Sequence, residues 1–271
     1  MGNKTAVITG GTKGIGASMV ADFLRNGWNV SYSGTSDASL KQSLEKLEGR
    51  FTAGSYEAFK CDVRNEEEII SLWNNTIKVF GRVDIWVNNA GRANEQQLFH
   101  MIPSALITGI VDTNIKGLML ATNIAYNNML IQGSGAIYNM AGLGSDGRMI
   151  PGLTPYGTTK RAVQYFTCAF AKEIKGSPVL IGTINPGMVL TDLTMSQVRK
   201  NPEANTRLIK IYNILANDPE DVTPWLVKKM IDNTRNGAEI SFFKKKKVLL
   251  RFLAAPFSKR DIVTKHLEMK K

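Results

Sequence analysis

Short apolar, β-branched runs recur along this chain, and each is followed by apolar residues at helical spacing. Thr5 to Thr9 is the first such run, with Met19, Val20, Phe23 and Leu24 behind it on one helical face. Trp28 to Ser33 reads as a second strand, Ser39 to Leu47 as a helix, and Tyr56 to Lys60 as a third strand. Asn65 then caps a helix whose first turn, Glu66, Glu67 and Glu68, complements the helix dipole. Val83 to Val87 is a fourth strand, followed by a helical region, a fifth strand from Gly135 to Asn139 and a long helix over Thr159 to Lys175. Val179 to Asn185 is the sixth strand. A helix from Asp218 to Asp232 follows, capped by Asp218 with Pro219 in its first turn, and Ala238 to Phe243 closes the series. Strands alternating with helices predict an α/β fold built on a doubly wound parallel sheet, with the ligand crevice at the carboxyl ends of the strands. No repeat or linker interrupts residues 1–240, which read as one domain; within it, residues 190–215 carry Leu193, Met195, Val198, Leu208, Ile209, Ile211, Tyr212 and Ile214 and read as a substrate lid.

Composition adds one asymmetry. The chain has 271 residues, is 43% hydrophobic and carries a net charge of +11. Ser241 to Lys271 holds ten Lys/Arg against two Asp/Glu, so the charge sits in a basic C-terminal extension, 241–271, beyond a near-neutral body. There, Phe242 and Phe243 precede Lys244 to Lys247 and Val248, Leu249, Leu250, Arg251, Phe252 and Leu253. Cations between apolar residues predict peripheral contact with an anionic membrane; a tail packed on the body or on a neighbouring subunit is the alternative. Nucleic acid is not expected, since no recognition motif is present. The apolar run Ala6 to Ile8 is too short for a secretory signal, Ala6 does not suit a myristoylation signal, and no stretch reaches the length of a membrane span. Cys61 and Cys168 form neither a disulfide framework nor a metal site; both are expected to be buried thiols in a reducing compartment.

Candidate chemistry begins directly after the first strand. Gly10, Gly11, Thr12, Lys13, Gly14, Ile15 and Gly16 form a glycine turn opening a helix. Gly10 allows a tight turn, Gly14 and Gly16 let backbone approach a pyrophosphate, and the helix N-terminus offers N–H groups to the anion. An acidic residue at the end of the second strand would suit a ribose 2′-hydroxyl; here stand Ser33, Gly34, Thr35 and Ser36, with Lys13 in the turn. Hydroxyls and a cation suit a 2′-phosphate, so NADPH/NADP is the expected cofactor. Asp37 is expected to cap the next helix. Further on, Tyr156 and Lys160 lie four apart on one helical face, where an ammonium is expected to lower the phenol pKa and make it a general acid or base.

The T-G-x-x-x-G-x-G spacing with Tyr156 and Lys160 resembles the short-chain dehydrogenase/reductase family, a Rossmann-type family. The resemblance implies that Asp62 and Val63 contact adenine, that Asn88, Asn89, Ala90 and Gly91 lie beside the adenosine ribose and central sheet, and that Asn114 holds a water serving the catalytic Lys. It implies that Pro186, Gly187 and Met188 lie over the nicotinamide with Thr191 bonding its carboxamide, that Lys160 binds the nicotinamide ribose, and that the protein is a homo-oligomer. The family's catalytic Ser, thirteen residues before the Tyr, is replaced by Leu143. Ser145, on a loop with Gly142, Gly144 and Gly147, is the expected substitute, with Asn139 as the other candidate donor. The run from Asn139 to Arg148, with Tyr156, Lys160 and Arg161, is similar to the plant chlorophyll(ide) b reductases, as are Pro186 to Leu193 and Asn213 to Val227. Ala141 departs from their Asp, and Thr35 stands where an Arg would fit a 2′-phosphate better. The resemblance implies reduction of the 7-formyl of chlorophyll b or chlorophyllide b to hydroxymethyl. The alternatives are another carbonyl or sugar substrate, or a non-catalytic membrane-surface protein. A bacterial cytoplasmic or peripheral-membrane protein, or a mature plastid form, is expected.

Overall fold

In a computed structural model, which describes residues 3–200, 203–243, 245–255, 258 and 260–268, seven strands form one parallel sheet in the order β3-β2-β1-β4-β5-β6-β7. The strands are β1 (Thr5–Ile8), β2 (Asn29–Gly34), β3 (Tyr56–Lys60), β4 (Ile85–Asn88), β5 (Gly135–Met140), β6 (Val179–Asn185) and β7 (Ala238–Ser241). The order reverses between β1 and β4, which opens the crevice at the sheet's carboxyl edge. α1 (Gly14–Arg25) and α9 (Pro219–Ile231) cover one face; α3 (Glu66–Phe80), α5 (Leu118–Gln132) and α6 (Thr154–Glu173) cover the other. The period-two rule divides the strands between two cores. Ala6, Ile8, Val87, Tyr138 and Ile184 pack with Phe23, Val222 and Leu226, whereas Val7, Trp86, Ile137 and Ile181 pack with Leu72, Trp73 and Ala125.

Several element boundaries differ from the sequence reading. α2 runs Asp37–Leu47, and Ser36, not Asp37, is its cap, its hydroxyl accepting from Ser39 N at 3.3 Å. Asp37 instead pairs with Lys60 at 3.2 Å on the surface. α6 begins at Thr154, so Tyr156 lies in its first turn. Between α4 (Ser104–Val111) and α5 the helix widens into a π turn over Asp112–Gly117. Gly117, its last residue, lets the chain approach the loop after β3: a Cβ there would lie 2.7 Å from Val63 O. Cys61 is buried as expected, but Cys168 is exposed, because α6 turns Val163, Thr167 and Ala171 towards the sheet instead.

Beyond β6, α7 (Asp192–Lys200) and α8 (Thr206–Leu215) form a small lobe with its own core of Leu190, Met195, Val198, Tyr212, Ala216 and Val263. The C-terminal extension folds onto it as α10 (Lys245–Ala254) and α11 (Ile262–Glu268). Arg251 Nη1 donates to Leu215 O (3.1 Å), and Arg260 donates to Asn213 O (3.1 Å) and Ala216 O (2.5 Å). Two guanidinium groups thus satisfy the open carbonyls at the C-terminus of α8. Asp218 precedes α9, but its side chain makes no cap; it lies 3.7 Å from His266 of α11. Lys244 and the side chains of Leu193, Lys245, Lys246 and Lys247 lie outside the described residues.

Candidate active site

The glycine turn at the end of β1 is held from beneath. Thr9 Oγ1 accepts from Asn89 N (3.0 Å) and Ala90 N (3.1 Å), and Asn89 Nδ2 donates to Thr9 O and Gly10 O, both at 2.9 Å. Gly10 (φ 65°) and Gly14 (φ 57°) need left-handed backbone. Gly16 is required by proximity instead: a Cβ there would lie 2.3 Å from Gly10 O. α1 starts at Gly14 with no side-chain cap and no acidic residue in its first turn, so its N–H groups remain available to an anion. Lys13 is exposed before it; Thr12 and Ile15 are half-buried. Across the crevice, Thr191 Cγ2 would stand 3.3 Å from a Cβ on Gly14, which sets the strip from Pro186 to Thr191 against the turn.

Not every residue read for the cofactor faces the crevice. Ser33 is fully buried and its Oγ accepts from Gly10 N at 3.3 Å, so it braces the turn instead of meeting a 2′-phosphate. Thr35 is exposed just beyond β2. Asp62 is held by Arg64, whose Nε lies 2.9 Å from both carboxylate oxygens; this contact keeps the carboxyl below its ordinary range. Val63 is buried beside Gly117.

Tyr156 and Lys160 come together on α6 at the end of β5. Lys160 is 5% exposed; its Nζ donates to Met140 O at 2.9 Å and lies 5.6 Å from the centre of the Tyr156 ring. Gly142 lies against the phenol: a Cβ there would stand 2.6 Å from Tyr156 Oη. Burial pushes the Lys160 ammonium down to about 8 and the Tyr156 phenol up to about 12. The expected lowering of the phenol is therefore not what the free protein shows. The ammonium points to a carbonyl, and desolvation of the phenolate outweighs its help.

Gly91 brings the chain after β4 to this site; a Cβ there would lie 3.4 Å from Asn114 Oδ1 and 3.9 Å from Lys160 Nζ. Asn114, within the π turn, has a committed side chain. Its Oδ1 accepts from Arg92 N (2.8 Å), and its Nδ2 donates to Arg92 O (2.8 Å) and Thr159 Oγ1 (3.0 Å). Asn139 is also committed, which removes it as an oxyanion donor. It is fully buried, accepts from Asn88 Nδ2 at 2.8 Å and donates to Thr167 Oγ1 at 3.0 Å. Trp86, Asn88, Thr122 and Thr167 complete a buried network, of which only Asn88 lay in a motif. Ser145 is buried on the loop that presses on α6. Its N donates to Gly142 O (3.0 Å), its carbonyl accepts from Arg161 Nη1 (3.0 Å), and a Cβ on Gly144 would stand 2.8 Å from Gly157 Cα. In the segments that follow β4 and β5, Asn94 Nδ2 and Gln97 N donate to Gly152 O, and Lys200 Nζ at the end of α7 meets Glu95 at 2.6 Å. Leu98, Phe99, Met101 and Met149 stand exposed on these segments. No cluster of metal-ligating side chains occurs among the described residues.

A family model described as short chain dehydrogenase matches residues 4–202. Among curated proteins, the chain is 32% identical over 270 residues to the probable chlorophyll(ide) b reductase NYC1, chloroplastic, of Oryza sativa subsp. japonica, covering 94% of this chain and 52% of that one. It is 35% identical over 229 residues to the chlorophyll(ide) b reductase NOL, chloroplastic, of Arabidopsis thaliana, covering 82% of this chain and 63% of that one. The chain therefore spans between half and two thirds of the length of these relatives. Among solved structures, ElxO with NADP bound superposes with a TM-score of 0.78 at 25% identity, over 88% of this chain and 96% of that one.

Two outcomes follow from the geometry. Gly142→Ala places a methyl group against the phenol oxygen, and should cut turnover by about tenfold or more while leaving the melting temperature within a few degrees. Far-UV circular dichroism and steady-state rates check it together. For Lys160, the folded pKa lies below the unfolded value, so the unfolded chain holds the extra proton between about pH 8 and 10.5. Stability should then rise with pH across that window, by up to about 1.4 kcal/mol per unit, relative to Lys160→Met, as measured by urea unfolding. Parallel curves for the two proteins would remove the buried-cation reading.

Proposed function

The chain belongs to the short-chain dehydrogenase family, and from that premise we propose that it is an NADPH-dependent reductase of an aldehyde on a large apolar substrate, chlorophyll b or chlorophyllide b. The carbonyl chemistry rests on Tyr156 and Lys160 sharing one face of α6 with Gly142 at the phenol oxygen. The substrate class rests on the relatives named for chlorophyll(ide) b, at 30–35% identity. Leu98, Phe99, Met101 and Met149, exposed on the segments that follow β4 and β5, support an apolar ligand.

A nicotinamide cofactor fits the crevice: the turn of Gly10, Gly14 and Gly16 leaves backbone where a side chain would intrude, and α1 opens without a cap. Gly10 to Gly16 would hold its pyrophosphate, and Lys13 and Thr35 would meet a 2′-phosphate. Asp62, Val63, Ala90 and Gly91 would line the adenosine side, and Pro186, Gly187, Met188 and Thr191 the nicotinamide side. When bound, the cofactor supplies a hydride for the aldehyde carbon. Tyr156, whose phenol burial pushes up to about 12, keeps its proton at neutral pH and gives it to the oxygen that gains charge, so the formyl group becomes hydroxymethyl. Lys160 supplies positive charge beside the phenolate left behind. Ser145 steadies the substrate oxygen from the loop that carries Gly142. The plastid is the compartment of the relatives, and is the proposed one here if the chain is of plant type; a bacterial cytoplasm is the other setting.

Incubation with NADPH and chlorophyllide b should shift the pigment's absorption as NADPH is consumed. Tyr156→Phe should lower that rate by ~10²–10⁴. NADPH consumption with small ketones or sugars but not with chlorophyllide b would leave the family chemistry standing and discard the substrate. Ser145→Ala should reduce kcat with NADPH affinity unchanged; an unaltered kcat would strip Ser145 of its role.

A further inference from the structure

The helix α10 is fixed on one side and bare on the other. Arg251 anchors the inner side: it donates to Leu215 O and to Asn217 Oδ1 (2.8 Å), and lies 4.9 Å over the Phe243 ring. The outer side carries Leu249, Leu250, Phe252 and Leu253, at 61%, 64%, 46% and 64% exposure. At helical spacing these four fall within an arc of about 160°. Single exposed apolar residues are ordinary on a protein surface, but four on one helix face are a patch. The sequence around the helix is one-sided in charge. Between Glu239 and Asp261 the sequence holds seven Lys/Arg and no acidic residue; Arg251 and Arg260 are committed to the end of α8, and four of the other five form the run Lys244 to Lys247 that runs into the first turn of α10.

We propose that α10 is a lipid-docking helix, laying its Leu249, Leu250, Phe252 and Leu253 face into the headgroup layer of an anionic bilayer, with the surrounding cations supplying the attraction. An apolar face beside a basic run is the pattern that adsorbs to anionic lipid. A second copy of the chain is the weaker occupant, since a two-fold contact through this face would bring two basic segments together. No helix among the described residues is long and apolar enough to cross a membrane, so the contact is one of adsorption. The helix is tied to the site as well. Phe243, beneath Arg251, packs so tightly on Gly187 that a Cβ there would stand 2.2 Å from the ring. Docking thus holds the segment that lines the crevice at the bilayer surface. None of this depends on which substrate the site takes.

The test is co-sedimentation of the full chain with vesicles of phosphatidylcholine, with and without phosphatidylglycerol. The protein should pellet with the anionic vesicles, release at high salt, and stay in solution with the neutral ones. The paired substitution Leu249→Ser and Leu253→Ser, which leaves the charge alone, should lower partitioning on the order of tenfold or more. Lys245→Gln with Lys246→Gln and Lys247→Gln should weaken it as well. Both variants should keep wild-type NADPH affinity, which shows that they fold. Equal binding to neutral vesicles, or full binding by the serine variant, would overturn the proposal. So would a serine variant that sediments as a smaller species than wild type, since the face would then join copies of the chain.

Discussion

A buried ammonium at the seam between β5 and α6 sets the geometry of this molecule. Removing Lys160 from water is costly unless its charge finds a strong acceptor, and Met140 O is that acceptor at 2.9 Å. The carbonyl is itself fixed from two sides. Parallel pairing sets Met140 opposite Ile184, and the preceding residue, Asn139, is cross-linked to Asn88 on β4 and to Thr167 on α6. The sheet therefore dictates where α6 lies, and α6 dictates where Tyr156 lies. Because the amides of Asn88 and Asn139 find partners on both sides, the network stiffens the arrangement instead of burdening it with orphaned groups.

The same burial bears on the direction of proton transfer in the proposed reaction. A phenol near 12 is a poor resident base at neutral pH, but it keeps its proton in store. An alkoxide forming at a reduced carbonyl is more basic than a phenolate, so the transfer runs downhill at the moment it is needed. In that reaction Lys160, 5.6 Å from the ring centre, would then face a newly formed anion in a buried site, where Coulomb terms are strong. The cation that fails to acidify the free phenol is thus well placed to stabilise the phenolate after the proton has left.

What could be read from the chain followed the range of the forces involved. β3 and β6 were legible residue for residue: β6 is a buried, largely β-branched run, and β3 a short half-buried run with Tyr56 and Phe59, each bounded by loop residues. The start of α2 was not, because one hydroxyl, that of Ser36, decides it. The π turn at Asp112–Gly117 leaves no periodic mark, and the approach of Gly117 to Val63 O at its end is a tertiary contact. Ser33 and Asn139 read as candidate ligand contacts from their place in motifs, yet both answer structural needs: Gly10 N requires an acceptor, and Thr167 a donor. The pair Tyr156 and Lys160 was legible because four-residue spacing on a helix is itself geometry.

Composition also drew a boundary at residue 240 that the packing does not respect. α8 ends with carbonyls that no helix can satisfy from within. The donors that close it, Arg251 and Arg260, come from the basic extension, and Val263 enters the core shared by Leu190, Met195 and Tyr212. The charge that marks the extension as separate is thus part of what binds it: a guanidinium at a helix C-terminus is favoured by the dipole as well as by the hydrogen bond. Residues 190–216 and α11 are therefore halves of one lobe. Any movement of the strip that flanks the crevice, from Pro186 to Thr191, must be shared with the C-terminal helices packed against it.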